Sequence, residues 1–116
     1  MRAHVVMVAL LVSSAEILAA NAPLSVAVSP AQSIAPTNLT IRVHVEPAAD
    51  NRALEVVAES GAYYRSSRIQ LDGLDAPRTI VIEIRNVPGG DYEVTGTLVN
   101  SAGKKQSVRT HASVVE

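Results

Sequence analysis

The stretch NLTIRVHVE, residues 38–46, decides the fold class, because apolar and polar residues alternate along it without a break. Its apolar members are Leu39, Ile41, Val43 and Val45. Successive side chains of a β-strand point to opposite faces, so the alternation predicts a strand with one buried face and one solvated face. Pro47 follows and has no N–H group for a strand ladder, which ends the segment.

The same alternation predicts seven strands in the chain. They cover residues 24–29, 38–46, 53–59, 63–71, 78–85, 92–100 and 105–115. A proline-rich break at residues 30–36 separates the first two, and residues 63–71 are predicted to form a short edge strand. Turn-forming residues separate the others, and no helical period of apolar residues is found after the signal-peptide helix predicted at the N-terminus. The pattern predicts an all-β domain over residues 24–116, a two-sheet antiparallel sandwich, with a single closed sheet as the alternative.

Composition limits the chemistry of the chain. Its 116 residues suffice for one domain, and 47% hydrophobic with only 3% aromatic residues predicts an aliphatic core. The sequence has no cysteine, which excludes disulfides and thiolate chemistry. A net charge of -1 gives no basic field for nucleic acid. We expect no cofactor and no metal.

The N-terminal segment has the layout of a secretory signal peptide. Arg2 precedes an apolar run at residues 5–12, and small residues end at Ala20. Cleavage is expected after residue 20, with residue 22 as the other position and a retained membrane anchor as the rival interpretation. After cleavage we expect no stable membrane insertion and a secreted or periplasmic location. Export without disulfides is more typical of bacteria.

Two segments near the C-terminus carry a family resemblance. VPGGDYEV, residues 87–94, followed by NSAGK, residues 100–104, resembles the end of a fibronectin type III or bacterial immunoglobulin-like domain. The resemblance implies the sandwich fold. It also implies that Tyr92 is the corner tyrosine of such domains, with its ring in the core and its hydroxyl on nearby backbone.

Catalytic candidates are few. His44 and His111 both fall on outward strand positions, and in a fibronectin-type arrangement they would lie on opposite sheets, where they cannot act together. Glu55 and Glu59 lie on one outward face of their strand, with Glu46 and Glu83 expected on neighbouring outward rows. Paired acids of this kind occur in glycosidases, but they require a cleft, and the face of a small sandwich is flat and solvated. We therefore expect no catalytic site.

The charged turns and hairpins have simpler explanations than ligand binding. Calcium would need the turn acids Asp72, Asp75 and Asp91 to meet at one pole of the domain. Local hydrogen bonding explains aspartates in turns without any ion. A basic cluster near the last hairpin is interpreted as protection of a strand edge. It comprises Lys104, Lys105 and Arg109.

The candidate binding site is the segment YYRSSR, residues 63–68, which holds two of the three tyrosines. Tyrosine and arginine are enriched in binding hot spots, so Tyr63, Tyr64, Arg65 and Arg68 are predicted to contact a protein or glycan partner. The alternative is that one tyrosine packs inward and the other covers apolar surface.

These observations predict an exported β-sandwich protein with a non-catalytic binding or structural accessory role at the cell envelope. The alternatives are a small carbohydrate-active or hydrolytic enzyme and a self-assembling envelope subunit.

Overall fold

The computed structural model describes residues 23–116, which form eight strands in two facing sheets and one short 3-10 turn. The strands are β1 (Leu24–Ser29), β2 (Gln32–Ile34), β3 (Thr37–Val45), β4 (Asn51–Ser60), β5 (Tyr63–Gln70), β6 (Thr79–Val87), β7 (Gly90–Asn100) and β8 (Lys105–Val115). No helix in this part of the chain is long and apolar enough to cross a membrane. The predicted signal peptide, residues 1–20 or 1–22, lies outside the described residues.

The two sheets have different sizes. One contains three strands in the order β1-β3-β6, and the other contains five in the order β2-β8-β7-β4-β5. β1 lies against β7 and β8 of the larger sheet, so β6 lies toward the side of β4 and β5. For residues 23–116, the prediction of an all-β fold in two sheets is confirmed.

One strand was missed in the proline-rich break. Residues 30–36 contain β2, whose three residues pair in parallel with Ser113–Val115 of β8. The remaining pairs are antiparallel, so the prediction of a wholly antiparallel sandwich is wrong at this edge. Three residues between prolines are too few to show a period of two, which is why the pattern gave no sign of them.

The core is aliphatic, as the composition predicted, and it is built from the inward rows of both sheets. Its fully buried side chains include Leu24, Leu39, Ile41, Val43, Leu54 and Val94. Gly96 on β7 lets β1 approach closely, because a Cβ at this position would lie 2.6 Å from Cγ2 of Val26. The period-two pattern therefore identified the buried faces correctly.

Tyr92 is an aromatic residue buried in this core, near the beginning of β7. It is fully buried, and its hydroxyl donates a hydrogen bond to the carbonyl oxygen of Pro88 at 2.7 Å. The ring of Tyr63 meets it edge-on, with centroids 5.6 Å apart and planes at 73°. The ring and hydroxyl positions that the family resemblance implied for Tyr92 are both found.

Candidate functional site

The outward side of the five-stranded sheet is a broad polar surface, here called the open face. Strand register aligns its side chains in three cross-strand rows. The rows are Ser107-Thr97-Glu55-Arg68, Arg109-Thr95-Val57-Ser66 and His111-Glu93-Glu59-Tyr64. Hydroxyl groups and three carboxylates lie on the two inner strands β7 and β4, and arginines lie on β8 and β5, so the open face presents hydrogen-bonding and charged groups across the sheet.

Strand alternation divides the predicted binding segment between two faces. Tyr64 and Arg68 lie on the open face, where Tyr64 is 66% exposed. Tyr63 and Arg65 lie on the opposite face of β5, in register with Ser60 and Ala58. The four residues therefore do not form one patch, and the packing of Tyr63 against Tyr92 matches the alternative in which one tyrosine turns inward. A binding role for these residues stays a prediction.

Arg68 is held in place by an acidic neighbour. Its Nη1 donates to Oε1 of Glu55 at 2.6 Å, across the β4–β5 ladder. A pair this exposed adds at most about 1 kcal/mol to stability. The same contact holds the Arg68 guanidinium on the open face and offsets the charge of Glu55.

The predicted acid pair on β4, Glu55 and Glu59, is spaced too widely for a hydrolytic pair. Glu55 and Glu59 are four residues apart on one strand, which separates them by about 13 Å at the usual rise, beyond the roughly 5–9.5 Å of glycosidase pairs. Glu83 lies on β6 and Glu46 follows β3, so both belong to the three-stranded sheet. The expectation that they neighbour Glu55 and Glu59 is wrong, because the chain changes sheets between β3 and β4.

The two described histidines lie on opposite sides of the sandwich, as expected. His44 is on the outer face of β3, with Nε2 3.8 Å from Oε2 of Glu46. His111 is on the open face, with Nε2 3.6 Å from Oε2 of Glu93. Within residues 23–116 no three His, Asp or Glu side chains lie close enough to bind a metal ion together.

One of the three turn aspartates, Asp91, lies far from the other two. Asp72 and Asp75 adjoin the 3-10 turn after β5, at the end of the sheet where β7 finishes. Asp91 pairs with Ser113 at the beginning of β7. About 25 Å of strand separates the two ends at the usual rise per residue, so the three acids do not meet at one pole.

A pocket that the sequence gave no sign of lies at the pole where β7 meets β8. Its volume is about 420 Å³, and the 46–51 loop and the 100–106 hairpin line it beside Leu98. Asn100 fixes the hairpin, because its Oδ1 accepts from the N–H groups of Ala102 and Lys104. The lining includes Lys104 and Lys105 as well as Glu46 and Asp50, so the charges of the pocket select neither an anion nor a cation.

The free edge of β5 is the most accessible strand edge of the fold. β5 pairs with β4 over eight consecutive residues without a register shift, and within residues 23–116 no strand lies on its other side. By contrast, β1 has six residues between two prolines, and β6 loses regular pairing near Asn86, whose φ is 55°. On β8, the unpaired part begins with Lys105 and includes Arg109, as expected for a protected edge.

Comparison with known proteins gives likeness of fold. No family model and no curated protein matches the sequence. Among solved structures, a superoxide reductase (neelaredoxin) from Ignicoccus hospitalis is similar at 13% identity and a TM-score of 0.64, covering 80% of both chains. The PmoD soluble domain from Methylocystis sp. ATCC 49242 (Rockwell) matches at 12% identity and 0.54, covering 78% of this chain and 90% of that one. A family 76 glycoside hydrolase from a bovine Bacteroides thetaiotaomicron strain matches at 16% and 0.55, over 79% of this chain but 20% of the hydrolase.

Proposed function

We propose that this protein is an exported, non-catalytic binding module of the fibronectin III or immunoglobulin-like type, which pairs an extended strand of a partner protein with the free edge of β5. The observation that carries the proposal is the regular, unblocked edge of Tyr63–Gln70. An exposed edge offers unpaired N–H and C=O groups, and a partner strand satisfies them by continuing the sheet.

Side chains beside the edge supply the specificity. Tyr64 projects from the open face at the edge strand, and Arg68 lies four residues further along the same strand and on the same face, with its guanidinium bound to Glu55. An exposed aromatic ring and a fixed guanidinium are the groups that dominate binding energy at protein interfaces. A protein strand is favoured over a glycan because the unpaired groups of β5 are backbone groups with strand geometry.

Two features support the fibronectin III or immunoglobulin-like type. Tyr92 lies near the beginning of β7, and its hydroxyl donates to the backbone four residues upstream, as the corner tyrosine of immunoglobulin-like sandwiches does. A three-stranded sheet also faces a larger one, with β7 and β8 joined by a hairpin. The proposal of export rests on the sequence of residues 1–20.

Affinity capture with the full chain as bait, from the envelope and medium of the exporting organism, tests the proposed function. We expect Tyr64→Ala with Arg68→Ala to lower recovery of the partner protein at least tenfold, because losing two hot-spot contacts of about 2 kcal/mol each exceeds the roughly 1.4 kcal/mol that a tenfold change requires. The matched control is Thr95→Ala with Arg109→Ala, which alters the open face away from β5 and is expected to leave recovery unchanged.

Equal recovery by the two double variants would contradict the proposal. Binding of the wild-type chain to a glycan array, with no protein captured, would contradict it as well.

A further inference from the structure

The geometry points to a second copy of this chain as a partner for β5, joined through antiparallel β5–β5 pairing about a two-fold axis at Ser66. The inference rests on the proposed function, because both use the same edge. It adds the identity of the partner and the register of the pairing. Identical edges pair antiparallel in a closed two-fold dimer, which would join two five-stranded sheets into one sheet of ten strands.

The charges of β5 restrict the register. An axis at Arg65 or at Arg68 would place two arginines directly opposite each other, which is unfavourable in a cross-strand pair. Axes at Ser66 and Ser67 avoid this conflict and leave the central serines opposite each other. The sequence of the strand therefore narrows the central registers to two.

The axis at Ser66 gives the better cross-strand pairs. It sets Tyr64 opposite Arg68 of the second copy on the open face, where the guanidinium can lie over the tyrosine ring. On the inward row it sets Tyr63 opposite Ile69, an aromatic and β-branched pair of the kind that stabilises sheets. The axis at Ser67 instead places Tyr64 opposite Gln70 and Arg65 opposite Ile69, so neither favourable pair forms.

The Glu55 ion pair extends across this interface. Glu55 and Arg68 are cross-strand neighbours with Nη1 and Oε1 2.6 Å apart. In the dimer, Arg68 would lie between Glu55 of its own chain and Tyr64 of the other. The guanidinium of Arg68 would therefore contact a carboxylate on one side and an aromatic ring on the other. It would not lie opposite another positively charged side chain.

The absence of cysteine from the chain makes the register directly measurable by cross-linking. Directly opposed residues of an antiparallel pair have Cα atoms about 4.5–5.5 Å apart, within the roughly 4.4–6.8 Å that a disulfide spans. Ser66→Cys in the full chain is therefore expected to form a disulfide dimer under mild oxidation. Sedimentation of the wild-type chain is expected to show a concentration-dependent dimer.

Two matched variants make the test specific. Ser107→Cys places an exposed thiol on β8, at the far side of the same open face, and Ser67→Cys marks the competing axis. We expect Ser66→Cys to cross-link at least tenfold faster than either.

Equal rates for Ser66→Cys and Ser107→Cys would overturn the self-pairing, and faster cross-linking of Ser67→Cys would overturn the register. If a foreign protein is captured through Tyr64 and Arg68 while Ser66→Cys stays monomeric, the self-pairing fails and the proposed function stands.

Discussion

Leu39→Asp is expected to leave no stably folded protein at 25 °C. Leu39 is fully buried in β3, the central strand of the three-stranded sheet. A buried carboxylate without a partner costs several kcal/mol or forces the group to take up a proton. Domains of this length have only about 5–14 kcal/mol of stability in total. Circular dichroism and urea titration of the variant measure the loss.

Asn38→Asp is the matched control, because it introduces the same carboxylate at the neighbouring position of the chain. Asn38 is exposed on the neighbouring position, and its Oδ1 accepts from the N–H of Asn86, a role that a carboxylate oxygen can keep. We expect its unfolding midpoint to stay close to that of the wild type. A cooperative, wild-type-like transition for Leu39→Asp would show that the inward face of β3 is assigned incorrectly.

Tyr92→Ala is expected to lower the free energy of unfolding by about 3–5 kcal/mol, the usual cost of emptying a buried aromatic site. Tyr92→Phe keeps the ring against Tyr63 and removes the hydroxyl with its hydrogen bond to Pro88, so it should cost about 1 kcal/mol. Urea unfolding of both variants separates ring packing from the hydroxyl. Equal losses would contradict the account in which the ring anchors the core.

Alkaline pH gives a second test at the same residue. Burial is the main cause that raises the pKa of the Tyr92 hydroxyl above its ordinary value of 10.0, and a hydrogen bond with Ser60 partly opposes it. The folded state therefore holds the neutral phenol more strongly than the unfolded state does. This contribution is fully present below pH 10.0 and is lost as the pH rises through the folded-state pKa. Tyr92→Phe should lack this part of the alkaline loss.

Much of the fold could be predicted because its signals are local. The alternation in residues 38–46 identifies the inward face of β3, and the same rule located seven of the eight strands. β2 could not be predicted, because a strand of three residues is too short to show an alternation of period two. Its pairing with β8 also joins distant parts of the chain. Which sheet a strand joins also depends on distant parts of the chain. The local pattern therefore could not show that Glu46 and Glu83 lie on a different sheet from Glu55 and Glu59.

The candidate site was found in part. The segment at residues 63–68 was identified from residue types alone, and strand alternation then separated Tyr64 and Arg68 from Tyr63 and Arg65. Applying the period of two to this segment would have predicted the division. The free edge depends on strand order, and the pocket at the 100–106 hairpin depends on three distant segments meeting. Neither is encoded in a local pattern.

Amide hydrogen exchange, measured residue by residue with NMR, tests most directly whether β5 is the binding edge. It compares the full chain alone with the full chain bound to the protein recovered by affinity capture. In an edge strand, alternate N–H groups point away from the neighbouring strand and exchange freely. Binding is predicted to protect every second amide of Tyr63–Gln70 at least tenfold and to leave the 100–104 hairpin unchanged. Protection at the hairpin or on the three-stranded sheet, with β5 unchanged, would contradict the account.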